Sequence, residues 1–408
     1  MKCRSCKKLL KLCFIDLGNA PPSNSYLTEK ELNSTEIYYP LQVYICDNCW
    51  LAQVIDYAGR DIFFNEFYPY FSSVSNSFTS HSKKYVDYVI DRFNLKSTNS
   101  QIIEIASNDG YLLQFFKKKN FNCLGIEPSK SCAKAARKKN IKVLEKFFDF
   151  DLAKKLAKKN LVDLIVANNV LAHVPDINNF VKGISILLKK KGVVTFEFPH
   201  LLELIKNNQY DTIYHEHYSY LSLIAVNTIF EKNGLNIFDV QKINTHGGSL
   251  RVFAQKKTNN YYQVEKNVSK IISIEKKNKL NSIKTYKNFQ KLANENKNEL
   301  LNFLIECKSK NLKVAAFGAA AKGNTLLNYA GIKKDLISFV CDSSKSKQNK
   351  FLPGTKIPIF HPDHLQKEKP DYLLILPWNI ADEIKKQLSF LKNTKTKLFV
   401  AIPKLKIL

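Results

Sequence analysis

Seven consecutive residues, Tyr214-His215-Glu216-His217-Tyr218-Ser219-Tyr220, hold two imidazoles, one carboxylate and three phenols. Nearly every one of these groups can donate, accept or move a proton near neutral pH. Packing rarely calls for that density, whereas a proton-transfer site does. Two other uses stay open at this point. His215 and His217 could ligate a metal, although they lack the H-E-x-x-H spacing that puts two histidines on one helix face. The segment could also be a satisfied hydrogen-bond network inside the fold.

Four cysteines form two pairs, Cys3/Cys6 and Cys46/Cys49. Four thiolates in C-x2-C…C-x2-C order suit a tetrahedral zinc ion. A redox use would need one pair to open a helix after a strand. The module around them, residues 1–65, has little apolar material for a core, so the metal is expected to be structural and to supply folding energy. Cys13, Cys123, Cys132, Cys307 and Cys341 are scattered, mostly in apolar surroundings, and read as small buried thiols.

Residues 66–256 must position the proton-transfer segment. From residue 101 they alternate strand and helix, the rhythm of a doubly wound parallel α/β sheet. Strands are expected at Ile102–Ala106, Cys123–Glu127, Leu164–Ala167 and Gly192–Phe198, with helices at Tyr111–Lys119, Ser131–Lys139 and Ile177–Lys189. Ligands of such sheets bind beyond the carboxyl ends of the strands. Glu104, Ser107, Asn108, Asp109 and Gly110 surround the first turn, and Glu127 ends the next strand, where a carboxylate can accept both hydroxyls of a ribose. The turn has one glycine and is not a G-x-G-x-x-G cradle for a pyrophosphate. A cofactor with a ribose but no phosphates is favoured. S-adenosylmethionine fits, because acidic groups suit its cationic amino-acid end. The bland alternative is that Glu104 and Asp109 only cap a turn.

Asn168 and Asn169 follow the third strand and are expected to border the cofactor. His173 lies at the cleft edge, although a lone histidine there can equally be a cap or a core residue. Tyr70 precedes the serines 72 and 73 and could face the cleft, while its aromatic neighbours read as core. His246-Gly247-Gly248-Ser249 leads into a strand, and its glycines permit close backbone approach. Ser249 and Arg251 could contact a diphosphate or a sugar; otherwise this is a plain loop.

Residues 257–311 read as charged, solvated helices linking two domains. A second βα series starts near Leu312. Its turn, Gly318-Ala319-Ala320-Ala321-Lys322-Gly323-Asn324, opens a helix whose N–H groups can hold a phosphate. Lys322 and Asn324 sit in that turn, and Asp342 ends the next strand in a ribose-contact position.

At 408 residues the chain is too long for one core. Its net charge of +27 raises a nucleic-acid reading. The lysines are dispersed among asparagines and isoleucines, and no recognition module is present, so a diffuse field attracting an anionic substrate is the better reading. No apolar run reaches the length of a membrane span. The start, Met1-Lys2-Cys3-Arg4-Ser5-Cys6, lacks a signal-peptide core, so a cytoplasmic location is expected.

Taken together, several motifs resemble the nucleotide-deoxysugar C-methyltransferases, typified by enzymes that methylate C3 of TDP-4-keto deoxysugars. They are the cysteine knuckles, Leu17-Gly18-x2-Pro21-Pro22-Ser23-Asn24, Glu104 to Gly110, the 214–218 segment, His246 to Arg251 and Gly318 to Asn324. The resemblance spans essentially the whole chain. It implies a zinc module (1–65), a class I S-adenosylmethionine domain (66–256) and a C-terminal Rossmann-like domain without a dinucleotide (257–408), with a nucleotide-linked keto sugar between the last two. It makes His217 the base, with Glu216 orienting a histidine or binding sugar hydroxyls. Tyr214, Tyr70 and His173 donate to the ketone oxygen or position the sugar. Ser249, Arg251, Lys322, Asn324 and Asp342 are the expected substrate contacts. The rival functions are an RNA-modifying methyltransferase and a non-catalytic sugar-nucleotide-binding protein. The oligomeric state is unreadable.

Overall fold

Strand-forming residues dominate three stretches of the chain, and each stretch builds a sheet. The computed structural model describes residues 1–64, 71–259 and 261–408. In chain order the strands are β1 (Leu12–Ala20), β2 (Tyr39–Ile45), β3 (Ala52–Val54), β4 (Gln101–Ile105), β5 (Asn122–Ile126), β6 (Lys142–Leu144), β7 (Val162–Asn168), β8 (Leu188–Pro199), β9 (Ser219–Tyr220), β10 (Leu235–Ile243) and β11 (Ser249–Lys256). The last series is β12 (Val314–Phe317), β13 (Val340–Cys341), β14 (Lys350–Phe351), β15 (Pro358–Phe360), β16 (Tyr372–Ile375), β17 (Lys397–Val400) and β18 (Lys406–Ile407).

The central sheet has seven strands in the order β10-β11-β8-β7-β4-β5-β6. Strands β6 to β8 in that row are parallel, and β11 and β10 close the edge antiparallel. The apolar run of β7 is buried almost throughout, as a strand covered on both faces must be. The order in which strands are added reverses at the parallel β4–β7 pair, so the ligand crevice opens beyond those two strand ends. The second seven-stranded sheet, β14-β15-β13-β12-β16-β17-β18, repeats the arrangement with antiparallel edges.

The third sheet joins the parts. Strands β1, β2 and β3 of the cysteine module pair antiparallel, and its fourth strand is β9, from the 214–220 segment. Ala52 lies opposite Tyr220 and Gln53 opposite Ser219. Val54 N–H donates to Tyr218 O at 3.1 Å.

Two expectations differ from the structure. The helix expected to run to Lys189 ends at Leu187, and β8 begins at Leu188, ahead of the expected Gly192. The stretch 257–311 is not a set of solvated linkers. Its helices Lys266–Lys277, Ile283–Lys287 and Phe289–Ser309 each bury a stripe, and Tyr286 and Phe289 pack on Phe14 with ring centroids 5.2 and 4.8 Å away. Glu275, within a run of lysines, is fully buried. Its carboxylate accepts from Leu223 N at 2.6 Å, Ile224 N at 2.8 Å and His200 Nε2 at 2.7 Å. His200 and Leu223 flank residues 201–222, so one carboxylate fixes both ends of the stretch that contains the proton-transfer segment. It also satisfies orphan N–H groups at the start of the helix Leu223–Lys232.

Candidate active site

The three sheets enclose a cavity of about 320 Å³. Its walls come from the ends of β4, β5 and β7, from the 212–217 segment, from Asn24 of the cysteine module, and from Ala320 to Lys322 and Lys347 of the C-terminal sheet.

On the central-sheet side, Glu127 accepts from Asn108 N and Ser129 N, both at 2.9 Å. Burial pushes its carboxyl up to about 7, against the pull of those two N–H groups. Glu104 is buried beneath the turn, and desolvation holds its carboxyl well above the usual range. Asp109 accepts from Ser73 Oγ and sits 3.4 Å from Lys139 Nζ. The turn is tightly wound: Ala106, Asn108 and, on the next loop, Asn169 all have left-handed φ, at 58°, 49° and 55°. Such strain in non-glycine residues concentrates at ligand sites. Gly110 is obligatory there, because a Cβ would lie 2.4 Å from the Ile141 side chain. Ser107 turns inward, its hydroxyl where a Cβ on Gly125 would fall.

These residues fit S-adenosylmethionine. Glu104 Oε2, Asp109 Oδ1, Asn168 Oδ1 and both amide atoms of Asn169 are buried without a hydrogen-bond partner among the described residues. Buried polar atoms are normally satisfied. This set is weighted towards acceptors, matching ribose hydroxyls and a cationic ammonium.

On the opposite wall, two imidazoles are set by the backbone. His217 Nδ1 lies 3.1 Å from Thr212 O, and His173 Nδ1 lies 2.8 Å from Glu216 O. A carbonyl oxygen only accepts, so each Nδ1 carries the proton and each Nε2 keeps its lone pair. Burial and the neighbouring His173 hold His217 well below the usual imidazole range, and burial brings His173 down to about 4. Both rings are neutral at pH 7. Their centroids are 4.7 Å apart, and the Tyr214 ring lies 4.0 Å from that of His217.

The Glu216 carboxylate does not reach a histidine. It accepts from Asn24 Nδ2 at 2.8 and 2.9 Å through its two oxygens. His215 faces away from the cavity, with Nε2 3.2 Å from Tyr39 O. That divergence of His215 and His217 gives the metal reading of the segment no support.

Of the expected substrate contacts, Lys322 lines the cavity. It donates to Asn379 Oδ1 at 2.5 Å and lies 4.9 Å from the Trp378 ring centroid. Burial lowers its ammonium, and Asp211 opposes that shift. The other four are engaged within the fold. Arg251 lies opposite Glu197 across β11 and β8, donates to it at 2.6 Å, and covers the Tyr85 ring. Ser249 Oγ donates to Thr245 O, and Asn324 Nδ2 to Ser23 O. Asp342 accepts from Ala319 N and Ser344 N, both at 2.7 Å. Tyr70 lies outside the described residues.

Asn24, His246 and Lys347 are among the wall residues that carried no assigned role in the sequence. His246 has φ 55° and a buried, unpartnered Nε2. Asn24 and His246 both stand inside motifs legible in the chain; Lys347 is hidden in a lysine-rich run.

Below the cavity, the sulfurs of Cys3, Cys6, Cys46 and Cys49 all lie within 4.8 Å of one another. Gln53 Nε2 donates to Cys3 Sγ at 3.3 Å, an outer-shell bond that stabilises a thiolate. Four sulfurs so gathered fit one tetrahedral zinc.

A doubly wound sheet with an acidic second-strand end and an acceptor-rich turn has the form of an S-adenosylmethionine-dependent methyltransferase. Models of known families agree: "Putative zinc binding domain" matches residues 3–64, "Methyltransferase domain" 78–240 and "C-methyltransferase C-terminal domain" 244–403. The chain is 32% identical over 394 residues to the C-methyltransferase NovU of Streptomyces niveus, covering 96% of this chain and 93% of that protein. It belongs to the C-methyltransferase family, and zinc and S-adenosylmethionine are its metal and cofactor. Solved structures show slighter likeness. The PH0226 protein of Pyrococcus horikoshii OT3 has a TM-score of 0.38 at 15% identity, over 48% of this chain and all of that one. Magnesium protoporphyrin IX methyltransferase of Synechocystis PCC 6803 has 0.34 at 14%, over 44% and 79%.

Two outcomes follow from this geometry. Glu127→Ala is expected to weaken S-adenosylmethionine binding roughly 10- to 100-fold in calorimetry, the size of losing a hydrogen bond to a charged group. Unchanged affinity would remove Glu127 from the cofactor site. Cys46→Ser/Cys49→Ser is expected to lose zinc by elemental analysis and to abolish turnover through β9, while the cofactor side of the cavity still binds S-adenosylmethionine more than one-tenth as tightly as the parent protein.

Proposed function

We propose that the protein methylates carbon in a nucleotide-linked 4-keto sugar, with C3 as the accepting carbon. The observation that carries this is His217: a neutral imidazole, its Nδ1 proton tied to the backbone, its Nε2 lone pair at a cavity shared by cofactor residues and the C-terminal sheet.

A carbon beside a ketone is a weak nucleophile until it loses a proton. Nε2 of His217 takes H3, and the electron pair of the C–H bond passes into the C3–C4 bond as charge moves onto O4. Held against Glu127 and the turn at 104–110, S-adenosylmethionine would supply to that carbon a methyl group on a cationic sulfur. The chain's own work is to remove the proton, stabilise O4, orient the sugar and exclude water.

The tautomers divide the remaining roles. Neutral His173, with its proton on Nδ1, presents an acceptor and suits a sugar hydroxyl. Donors for O4 are the Tyr214 hydroxyl and the Lys322 ammonium, both on the cavity wall. Glu216 accepts a second sugar hydroxyl. The C-terminal turn at 318–323, where the helix Ala321–Tyr329 starts, suits the diphosphate, and Lys347 beside it adds positive charge. Zinc held by four thiolates suits a reducing, cytoplasmic setting. No helix among the described residues is long and apolar enough to cross a membrane.

His217→Ala is expected to lose about 10²–10⁴ in turnover, the usual worth of a general base. Its cofactor affinity should stay unchanged. Products are read by mass spectrometry after incubation with labelled cofactor and a panel of 4-keto sugar nucleotides. The parent protein should add one CH2 that survives acid, and, without cofactor, exchange H3 with deuterated solvent. Near-normal turnover in the variant removes His217 as the base; no product from any keto sugar removes the substrate class.

A further inference from the structure

Glu216 is a carboxylate on the cavity wall with almost no exposed surface. Among the described residues, one side chain hydrogen-bonds to it: Asn24, whose Nδ2 lies 2.8 Å from one carboxylate oxygen and 2.9 Å from the other. Those two residues are 192 positions apart. The loop that carries Asn24 is itself fixed. Ser23 O accepts from Asn324 Nδ2 at 2.6 Å, and Tyr26 OH donates to Ala319 O at 2.5 Å. Both bonds run to the C-terminal turn, so the amide reaches Glu216 from a rigid position.

We propose that Asn24 is a positioning residue that keeps Glu216 as a carboxylate, aimed into the cavity to accept a sugar hydroxyl. This rests on the reading of the site as a sugar C-methyltransferase. The chemistry is one-sided. An amide N–H donates only, so it favours the ionised carboxylate over the protonated acid. Burial pushes the Glu216 carboxyl up to about 7 with the Asn24 bond already opposing the shift. The other groups near Glu216 give it little help. Tyr26 and Tyr218 are neutral phenols whose ionisation Glu216 itself disfavours. His173 bonds to its backbone oxygen, and His217 follows it in the chain; both are neutral. Lys347 Nζ donates to Ala319 O at 2.8 Å and lies 3.6 Å from Asp342 Oδ2. Without the amide, Glu216 therefore keeps its proton to higher pH. A protonated acid offers the sugar a donor in place of an acceptor.

The sign of the effect sets the test. Turnover in the parent protein should rise as pH increases through the ionisation of Glu216. Asn24→Leu keeps the volume and removes the donor. Its rising limb should move up by about one pH unit or more, the worth of one hydrogen bond to a charged group. Asn24→Gln, which restores the donor, should move it back towards the parent. Asn24→Asp, of the same shape, must share protons with Glu216 and should move the limb further up; it stands in should the leucine variant not fold. The same ionisation is read without substrate from the carboxyl infrared band that Glu216→Gln deletes. If turnover falls equally at every pH and the infrared midpoint stays in place, Asn24 is structural only and the proposal fails. An infrared shift in a protein that methylates no keto sugar would uphold the Asn24–Glu216 link and overturn the substrate reading instead.

Discussion

A backbone carbonyl can accept a hydrogen bond and never donate one, and the tautomers in this cavity depend on that constraint. Thr212 O and Glu216 O each bind the Nδ1 of an imidazole. Both histidines are thereby confined to one tautomer, with a basic nitrogen left for a ligand. No carboxylate is needed to orient either ring, and Glu216 bonds to Asn24 instead. Burial completes the setting by keeping both rings uncharged at neutral pH, where an imidazolium could not act as a base.

Carbonyls can impose a tautomer only where the backbone carrying them is rigid. Residues 201–222 gain that rigidity from all three parts of the chain. Glu275 pins the flanks. From the C-terminal sheet, Thr325 Oγ1 donates to Ile213 O at 2.7 Å and Trp378 Nε1 to Asp211 Oδ2 at 2.7 Å. On the zinc side, β3 takes Ser219 and Tyr220 as its partner strand. A four-thiolate metal site thus has a task beyond folding a small module: it holds the sheet on which the base-bearing segment ends. Assembly and chemistry are coupled, because a cavity with walls from three sheets exists only when all three are docked.

Much of this was legible in the residues. The βα rhythm from residue 101 and the paired cysteines each encode their placement locally, so the doubly wound sheet and the zinc module followed from pattern. The 214–220 segment announced itself by composition. What stayed hidden was long-range pairing. Arg251 looked like an anion ligand because its partner, Glu197, lies 54 residues away and meets it only once β8 and β11 are in register. Glu275 looked solvated because lysines surround it in sequence while its partners lie 52 and 75 positions off. Asp342 ends its strand as Glu127 does, and each already accepts from two backbone N–H groups. In each case local spacing named the right residue type but could not say which bond that residue had already made.

The most direct test of the account is the protonation of His217 itself. Nitrogen-15 NMR of histidine-labelled protein, assigned with His217→Ala, reads which ring nitrogen carries the proton. The account predicts a neutral ring at pH 7 with the proton on Nδ1 and Nε2 free. A proton on Nε2, or a charged imidazolium at that pH, would contradict it.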